Sequence, residues 1–337
     1  MKVLLQDLVL IVEQASNLKE RLSNQFVPDT KKVDTQIVRS RWQVWSQGVA
    51  KGNIEKFAKR LVWDDVNSSA VATLLGDVRL ATEYFPEWAN TLQEVFNTDW
   101  EACANADKCL DINKQIPFES LYLPFVFIAR QQLNSLLNNC TYLPSEECYV
   151  SMERQLLVKL AMLCSQTLEL EFSEFKALKS STYTLASSRQ QNGFDSQYKI
   201  FLQHLAADKL LSFFQKYSVL ARLIGTAINF WVEEKAEFIQ RLATDLPVIQ
   251  QTFQADVSQL TEVKLNLSDP HNQGRSVIAL TFASGFKLIY KPRGLGLEKA
   301  YSELLNWCNQ QSIEVLFKII KVIDSKTHGW MEYVEHL

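Results

Sequence analysis

Residues 263–293 read VKLNLSDPHNQGRSVIALTFASGFKLIYKPR, and this run decides the architecture of the C-terminal part of the chain. Val263-Lys264-Leu265-Asn266-Leu267 alternates apolar and polar residues with the period of two expected of a half-buried strand. Residues 277–282 and 286–290 are two further strand-like runs. Ala283-Ser284-Gly285 joins them, with Gly285 free to take the positive φ of a hairpin turn. Helical spacing returns over 297–309, through Leu297, Tyr301, Leu304, Leu305 and Cys308. Residues 316–323 and 330–334 then read as two more strands, with Thr327-His328-Gly329 between them.

Upstream, to about Phe253, the apolar period is that of helices. In 152–172 one seam holds Leu156, Leu160 and Leu163, and an adjacent seam holds Leu157, Ala161, Cys164 and Leu168. Two adjacent seams make the wide stripe of a helix buried on most of one side. Leu220, Ile224, Ile228 and Trp231 repeat the pattern in 217–242, and breakers such as Pro86, Pro117, Pro124 and Pro144 separate the helices. The polar stretch 180–196, with Gly193, is expected to be a flexible loop. Trp42, Trp45, Trp63, Trp88 and Trp100 follow helical faces and are expected in interhelix packing, with a peptide groove as the alternative. The expected class is α+β: a helical region over 1–254, then over 255–337 a mainly antiparallel sheet with one helix. Three strands, a helix and two strands is the layout of the small lobe of a kinase-like fold.

Composition narrows the function. A formal net charge of −3 with interspersed signs carries no basic stripe, so nucleic acid is a poor partner. The N-terminal residues lack the uninterrupted apolar core of a secretory signal. The apolar run 219–232 contains Arg222 and Asn229 and is too short to span a bilayer. Six cysteines without a C-x-x-C pair or a histidine at zinc-finger spacing read as reduced thiols of a cytoplasmic protein. Pairings of Cys103 with Cys109, or of Cys140 with Cys148, stay open.

The chemistry concentrates in Ser268-Asp269-Pro270-His271-Asn272-Gln273-Gly274-Arg275, between two expected strands. In a nucleotide-binding small lobe this connection covers the phosphates, where backbone N–H groups and cations stabilise anionic oxygens. Gly274 allows close backbone approach, and Arg275 has the geometry to fork onto phosphate oxygens. A plain polar hairpin capped by Asp269 is the bland alternative. Lys291 ends the third strand, the position of a nucleotide lysine, whose usual partner is a glutamate on the next helix. Glu298 and Glu303 both qualify. Glu303 is preferred because it lies deeper in the helix. No Ser, Cys and His spacing suggests a nucleophilic triad.

These residues resemble a known family. The run from Ser268 to Val277, with Ser284-Gly285-Phe286-Lys287-Leu288-Ile289-Tyr290-Lys291-Pro292-Arg293, is similar to the G-D-x-H-x-x-G-R-x-V and S-G-x-K-L-V-Y-K-P-R signature of class II lanthipeptide synthetases. Pro117-Phe118 with Leu123-Pro124-Phe125-Val126 resembles that family's helical entry. Tyr217-Ser218-Val219-Leu220-Ala221-Arg222 resembles its Y-P-V-L-A-R segment, with serine in place of proline. Arg241-Leu242 with Asp245 resembles its R-L-x-x-D. Ser268 stands where glycine is usual and is expected to stiffen the turn. The resemblance implies the N-terminal, dehydratase-side part of an enzyme that phosphorylates Ser and Thr of a leader-bearing precursor peptide with ATP and Mg²⁺. Phosphate is then eliminated to leave dehydroalanine or dehydrobutyrine. Asp269, His271 and Lys291 carry over as catalytic residues, with the separate roles of Asp269 and His271 open. Gly274, Arg275, Lys291 and Glu303 carry over as nucleotide-binding, and no zinc is expected here. Residues 330–335 resemble the strand that joins the two lobes. The expectation is therefore an incomplete enzyme, inactive in isolation, whose large lobe comes from further sequence or a second chain. A non-catalytic peptide-binding scaffold and a lipid-kinase relative are the rival readings.

Overall fold

The computed structural model describes residues 3–23, 25–31, 34–81, 85–100, 103, 108–183, 194–311 and 314–335. Along the chain lie helices α1 (Val9–Ala15) and α2 (Leu18–Leu22), strand β1 (Phe26–Pro28), helices α3 (Thr35–Ala50), α4 (Ile54–Trp63) and α5 (Ser68–Leu74), strand β2 (Val78–Leu80) and helix α6 (Glu87–Phe96). Helices α7 (Leu123–Leu136), α8 (Glu146–Tyr183), α9 (Phe194–His204), α10 (Leu210–Lys216) and α11 (Ser218–Phe253) follow. Then come strands β3 (Leu260–Lys264), β4 (Ile278–Phe282) and β5 (Lys287–Lys291), helix α12 (Gly296–Asn309), and strands β6 (Val322–Asp324) and β7 (Gly329–Glu332). The mixed α+β class holds, with antiparallel sheets, but the region expected to be helical over 1–254 also carries a two-stranded sheet, in which Phe26 of β1 pairs with Leu80 of β2. The expected loop at 180–196 falls largely on 184–193, which lie outside the described residues.

Two compact units emerge, one of residues 1–97 with 182–226, the other of 98–181 with 227–337. In the first, Asn17 caps α2 by accepting from the Glu20 amide at 2.9 Å while the Glu20 carboxylate takes the Asn17 amide, a reciprocal capping box. Leu8, Ile11, Val12, Trp88, Leu92 and Phe214 fill its core. Arg222, the arginine of the Y-x-V-L-A-R-like segment, forks onto Glu20 and also donates to the Ala15 carbonyl, so this motif arginine ties α11 to α2. Helices α3 and α4 enclose a small core of Ala50, Phe57 and Leu61 with Trp42 and Trp45, whose rings meet Phe57 edge-on. Trp63, by contrast, is 84% exposed, which corrects its expected place in interhelix packing: it ends α4, on the side away from Phe57 and Leu61.

In the second unit the expected seams of α8 are buried at Leu156, Leu157, Leu160, Ala161, Cys164 and Leu168. The Trp231 indole of α11 donates to the Met152 carbonyl of α8 at 3.0 Å. Arg130 of α7 lies 3.6 Å over the Tyr149 ring and pairs with Glu153 and Glu146. The five-stranded sheet has the order β3-β4-β5-β7-β6, antiparallel throughout. Gly285, at φ 81°, makes the β4–β5 hairpin turn. The first strand is Leu260–Lys264 rather than the expected 263–267. Asn266 takes φ 58° and ends the extended run, so the alternation of 263–267 overshoots into the turn. The run 316–323 contributes only its end to the short β6. Asp324 of β6 accepts the Leu295 amide at 2.8 Å and so holds the entry to α12.

Candidate functional site

The chain leaves β3 through a turn held by its own backbone. The Leu267 amide donates to the Val277 carbonyl, and the Ser268 hydroxyl accepts the Val277 amide at 3.1 Å. His271 and Arg275 then pair across a tight loop in which Asn272, Gln273 and Gly274 take φ 43°, 69° and 105° in succession. Left-handed backbone is costly for side-chain-bearing residues, of order 1–3 kcal/mol each, so such a loop persists only where its surroundings hold it. Arg275 supplies the hold. Its Nη1 donates to the Asn272 carbonyl at 2.7 Å and to Gln273 Oε1 at 3.3 Å, while its Nε donates to Glu237 of α11 at 2.7 Å.

Beside this loop lies a cleft of about 580 Å³, within the size range of small-molecule sites. His271, Asn272 and Arg275 line it from the loop, and Lys291, Pro292 and Arg293 from the end of β5. Ser268 and Val277 complete the wall, which contains no carboxylate. Two acids stand behind the cations. Glu298 pairs with Lys291 at 3.3 Å and with Arg293 at 2.5 Å, and the Arg293 hydrogen bond, more than any other contact, draws the Glu298 carboxyl below its ordinary range. Glu237 likewise serves both Arg275 and Arg241. Each acid is shared by two cations, so both clusters keep net positive charge, which suits an anionic ligand.

The expected site residues divide. His271, Arg275 and Lys291 line one cleft. Asp269 is exposed at the outer end of the turn and is not among the lining residues. Gly274 also lies off the wall. A Cβ there would come 3.6 Å from Lys159 Nζ of α8. The preference for Glu303 as the partner of Lys291 is corrected, because the ion pair forms with Glu298 in the first turn of α12. Five residues on, Glu303 stands about 7.5 Å further along the axis and ~140° around it, exposed and without an ion pair among the described residues.

Three residues of α11 take part that the sequence did not give a role: Arg241 and Asp245, matched there only to the R-L-x-x-D segment, and Glu237, not singled out at all. Glu237, Arg241 and Asp245 recur every fourth residue, one seam on a helix whose neighbouring Phe238, Ile239 and Leu242 are fully buried. Glu237 holds Arg275. Arg241 donates to the Tyr290 hydroxyl at 2.8 Å, next to Lys291, and burial drives that phenol up to about 12. Asp245 Oδ2 takes His328 Nε2 at 2.8 Å, the Trp330 indole at 2.7 Å and the Ser325 hydroxyl at 3.2 Å. β7 pairs with β5 there, Gly329 opposite Lys291. For Arg241 and Asp245 the R-L-x-x-D resemblance was the signal, and for Glu237 the four-residue spacing of charges inside an apolar helix.

Two comparisons bear on this region. The family described as Domain of unknown function (DUF4135) matches residues 217–337, which hold α11, the sheet, the cleft and α12. The lacticin 481/lactococcin biosynthesis protein LcnDR2 of Lactococcus lactis subsp. lactis is 25% identical over 129 residues, 36% of this chain and 14% of that protein. The chain therefore spans only a small part of that relative, and over that part it is similar to a lacticin 481/lactococcin biosynthesis protein.

Proposed function

We propose that this chain is the dehydratase-side part of a class II lanthipeptide synthetase, with 255–337 as a kinase-like small lobe whose cleft takes the polyphosphate of ATP. The observation that carries this reading is a wall bearing His271, Arg275, Lys291 and Arg293 and no carboxylate. Similarity to a lacticin 481/lactococcin biosynthesis protein supports a role in making such a peptide, and the substrate in this reading is a leader-bearing precursor peptide. ATP would supply the phosphoryl group passed to Ser and Thr of that peptide. Lys291 and Arg293, oriented by Glu298, would neutralise the phosphate oxygens, and His271, on the same wall, would handle the proton at the leaving phosphate. The volume of the cleft and its cationic wall support a polyphosphate as the ligand. For Mg²⁺ the described residues offer no cluster of three or more His, Cys, Asp or Glu, so no step is assigned to the metal.

The test is calorimetric titration with ATP and Mg²⁺, followed by incubation with a cognate precursor and mass spectrometry for phosphate addition or water loss. Saturable binding that falls at least tenfold in Lys291→Met supports the reading, since one charged hydrogen bond contributes ~1.5–3 kcal/mol. A well-folded protein that ignores ATP would remove it.

A further inference from the structure

Arg275 lines the cleft, yet its guanidinium is already spoken for. Nε and Nη2 go to Glu237, and Nη1 goes to the Asn272 carbonyl and the Gln273 side chain. The guanidinium is thus a strut between α11 and the inside of the loop. The loop it braces carries three successive left-handed residues, and the amides of Asn272 and Gln273 make no hydrogen bond among the described residues. Successive N–H groups in such a turn form a concavity suited to anionic oxygens. The strut has an anchored foot. Glu237 is itself held by Arg241 one turn on, and Arg241 is held by the Tyr290 hydroxyl of β5. A second helix meets the loop's other edges, through Gln155 on Asn266 at 2.6 Å and Lys159 beside Gly274.

We infer that Glu237 is a positioning residue of the anion site. Through Arg275 it fixes the 272–274 loop in the form that sets Asn272, whose amide makes no hydrogen bond among the described residues, on the cleft wall with Lys291 and Arg293 to receive a polyphosphate. This rests on the proposed polyphosphate cleft but assigns a role to a helix residue that never lines it. The rival account makes Glu237 a counter-ion that a ligand must displace. The two accounts differ in sign. Removing one negative charge beside a cationic cleft tightens anion binding by electrostatics alone. Loss of positioning weakens it, because the ligand must then order the loop itself.

The experiment measures Kd for tripolyphosphate and for ATP with Mg²⁺ in the wild type, Glu237→Gln, Glu237→Asp and Arg275→Lys. Hydrogen exchange of the 268–277 backbone is followed in the same samples without ligand. We expect Glu237→Gln to weaken both ligands about tenfold, ~1.4 kcal/mol, with faster exchange over 268–277. Glu237→Asp should recover part of the loss. Arg275→Lys keeps the charge, cannot span both contacts, and should match Glu237→Gln, which keeps the test open if one variant folds poorly. Unchanged or tighter binding in folded Glu237→Gln overturns the inference. If the wild type binds neither ligand, the polyphosphate reading fails separately. The strut is then judged by exchange alone: faster exchange over 268–277 in Glu237→Gln upholds it, and unchanged exchange overturns it.

Discussion

Asp245→Ala should be among the most damaging single changes in the second unit. One oxygen, Asp245 Oδ2, accepts from the Trp330 indole at 2.7 Å, the His328 imidazole at 2.8 Å and the Ser325 hydroxyl at 3.2 Å. Trp330 has no exposed surface and His328 is buried, so truncation to alanine leaves both donors without the acceptor they share. Leaving a buried donor unsatisfied costs ~1–3 kcal/mol, which for two donors gives about 4 kcal/mol. With ~2–4 °C lost per kcal/mol in a unit of this size, Tm should fall by roughly 10 °C. Asp245→Asn keeps one acceptor oxygen and should lose only about 1 kcal/mol, the charge-assisted part. The decisive arm is Asp245→Ala combined with Trp330→Phe. Phenylalanine has no indole N–H to strand, so the double variant should be ~1–2 kcal/mol more stable than the two single losses summed. Urea denaturation followed by far-UV circular dichroism reads all three. Additivity within about 0.5 kcal/mol, or an Asp245→Ala loss below 1 kcal/mol, would refute the view that this carboxylate ties the sheet to α11.

In the first unit, Gly225→Ala pits two effects against each other. Helix propensity favours alanine by about 1 kcal/mol, but the added methyl would sit 2.5 Å from the Trp88 carbonyl oxygen. Backbone cannot yield as a side-chain tip does, so overpacking of ~1–3 kcal/mol should win and thermal denaturation should show a lower Tm. Lys235 is fully buried against Glu234 at 2.8 Å, and burial drives its ammonium below the ordinary lysine range while Glu234 pulls the other way. Lys235→Met should cost ~3–5 kcal/mol in chemical denaturation by stranding the carboxylate, and adding Glu234→Gln should restore most of it. Burial also pushes the thiols of Cys109 and Cys164 up to about 12 and that of Cys148 to about 11. Iodoacetamide at pH 8 should therefore label the half-exposed Cys140 and Cys308 well before those three, as peptide mapping would report.

Much of the second unit was legible along the chain. The helical stripe of α8, the hairpin at Gly285 and the clustering of His271, Arg275 and Lys291 follow from periodicity, from glycine's freedom at positive φ, and from residues close in sequence. Strand limits were less legible. Where alternation stops does not say where hydrogen bonding stops, and the left-handed Asn266 ended β3 short of Leu267.

Partner choice was not written locally at all. Lys291 had two glutamates within one helix, and where α12 packs, with Asp324 on the Leu295 amide at its start, brings Glu298 rather than Glu303 against it. Arg275 reads in sequence as a phosphate fork, and only the approach of α11, 38 residues away, turns it into a strut on Glu237. Asp245 lies 85 residues from Trp330. The sequence by itself determined the main helices, the β4–β5 hairpin and where the cations gather, because backbone sterics and the burial period act over a few residues; the short β1–β2 pair within the helical region was not legible in it. Which carboxylate answers which cation was decided by tertiary packing, because an ion pair or hydrogen bond depends on ångström distances that chain separation does not encode.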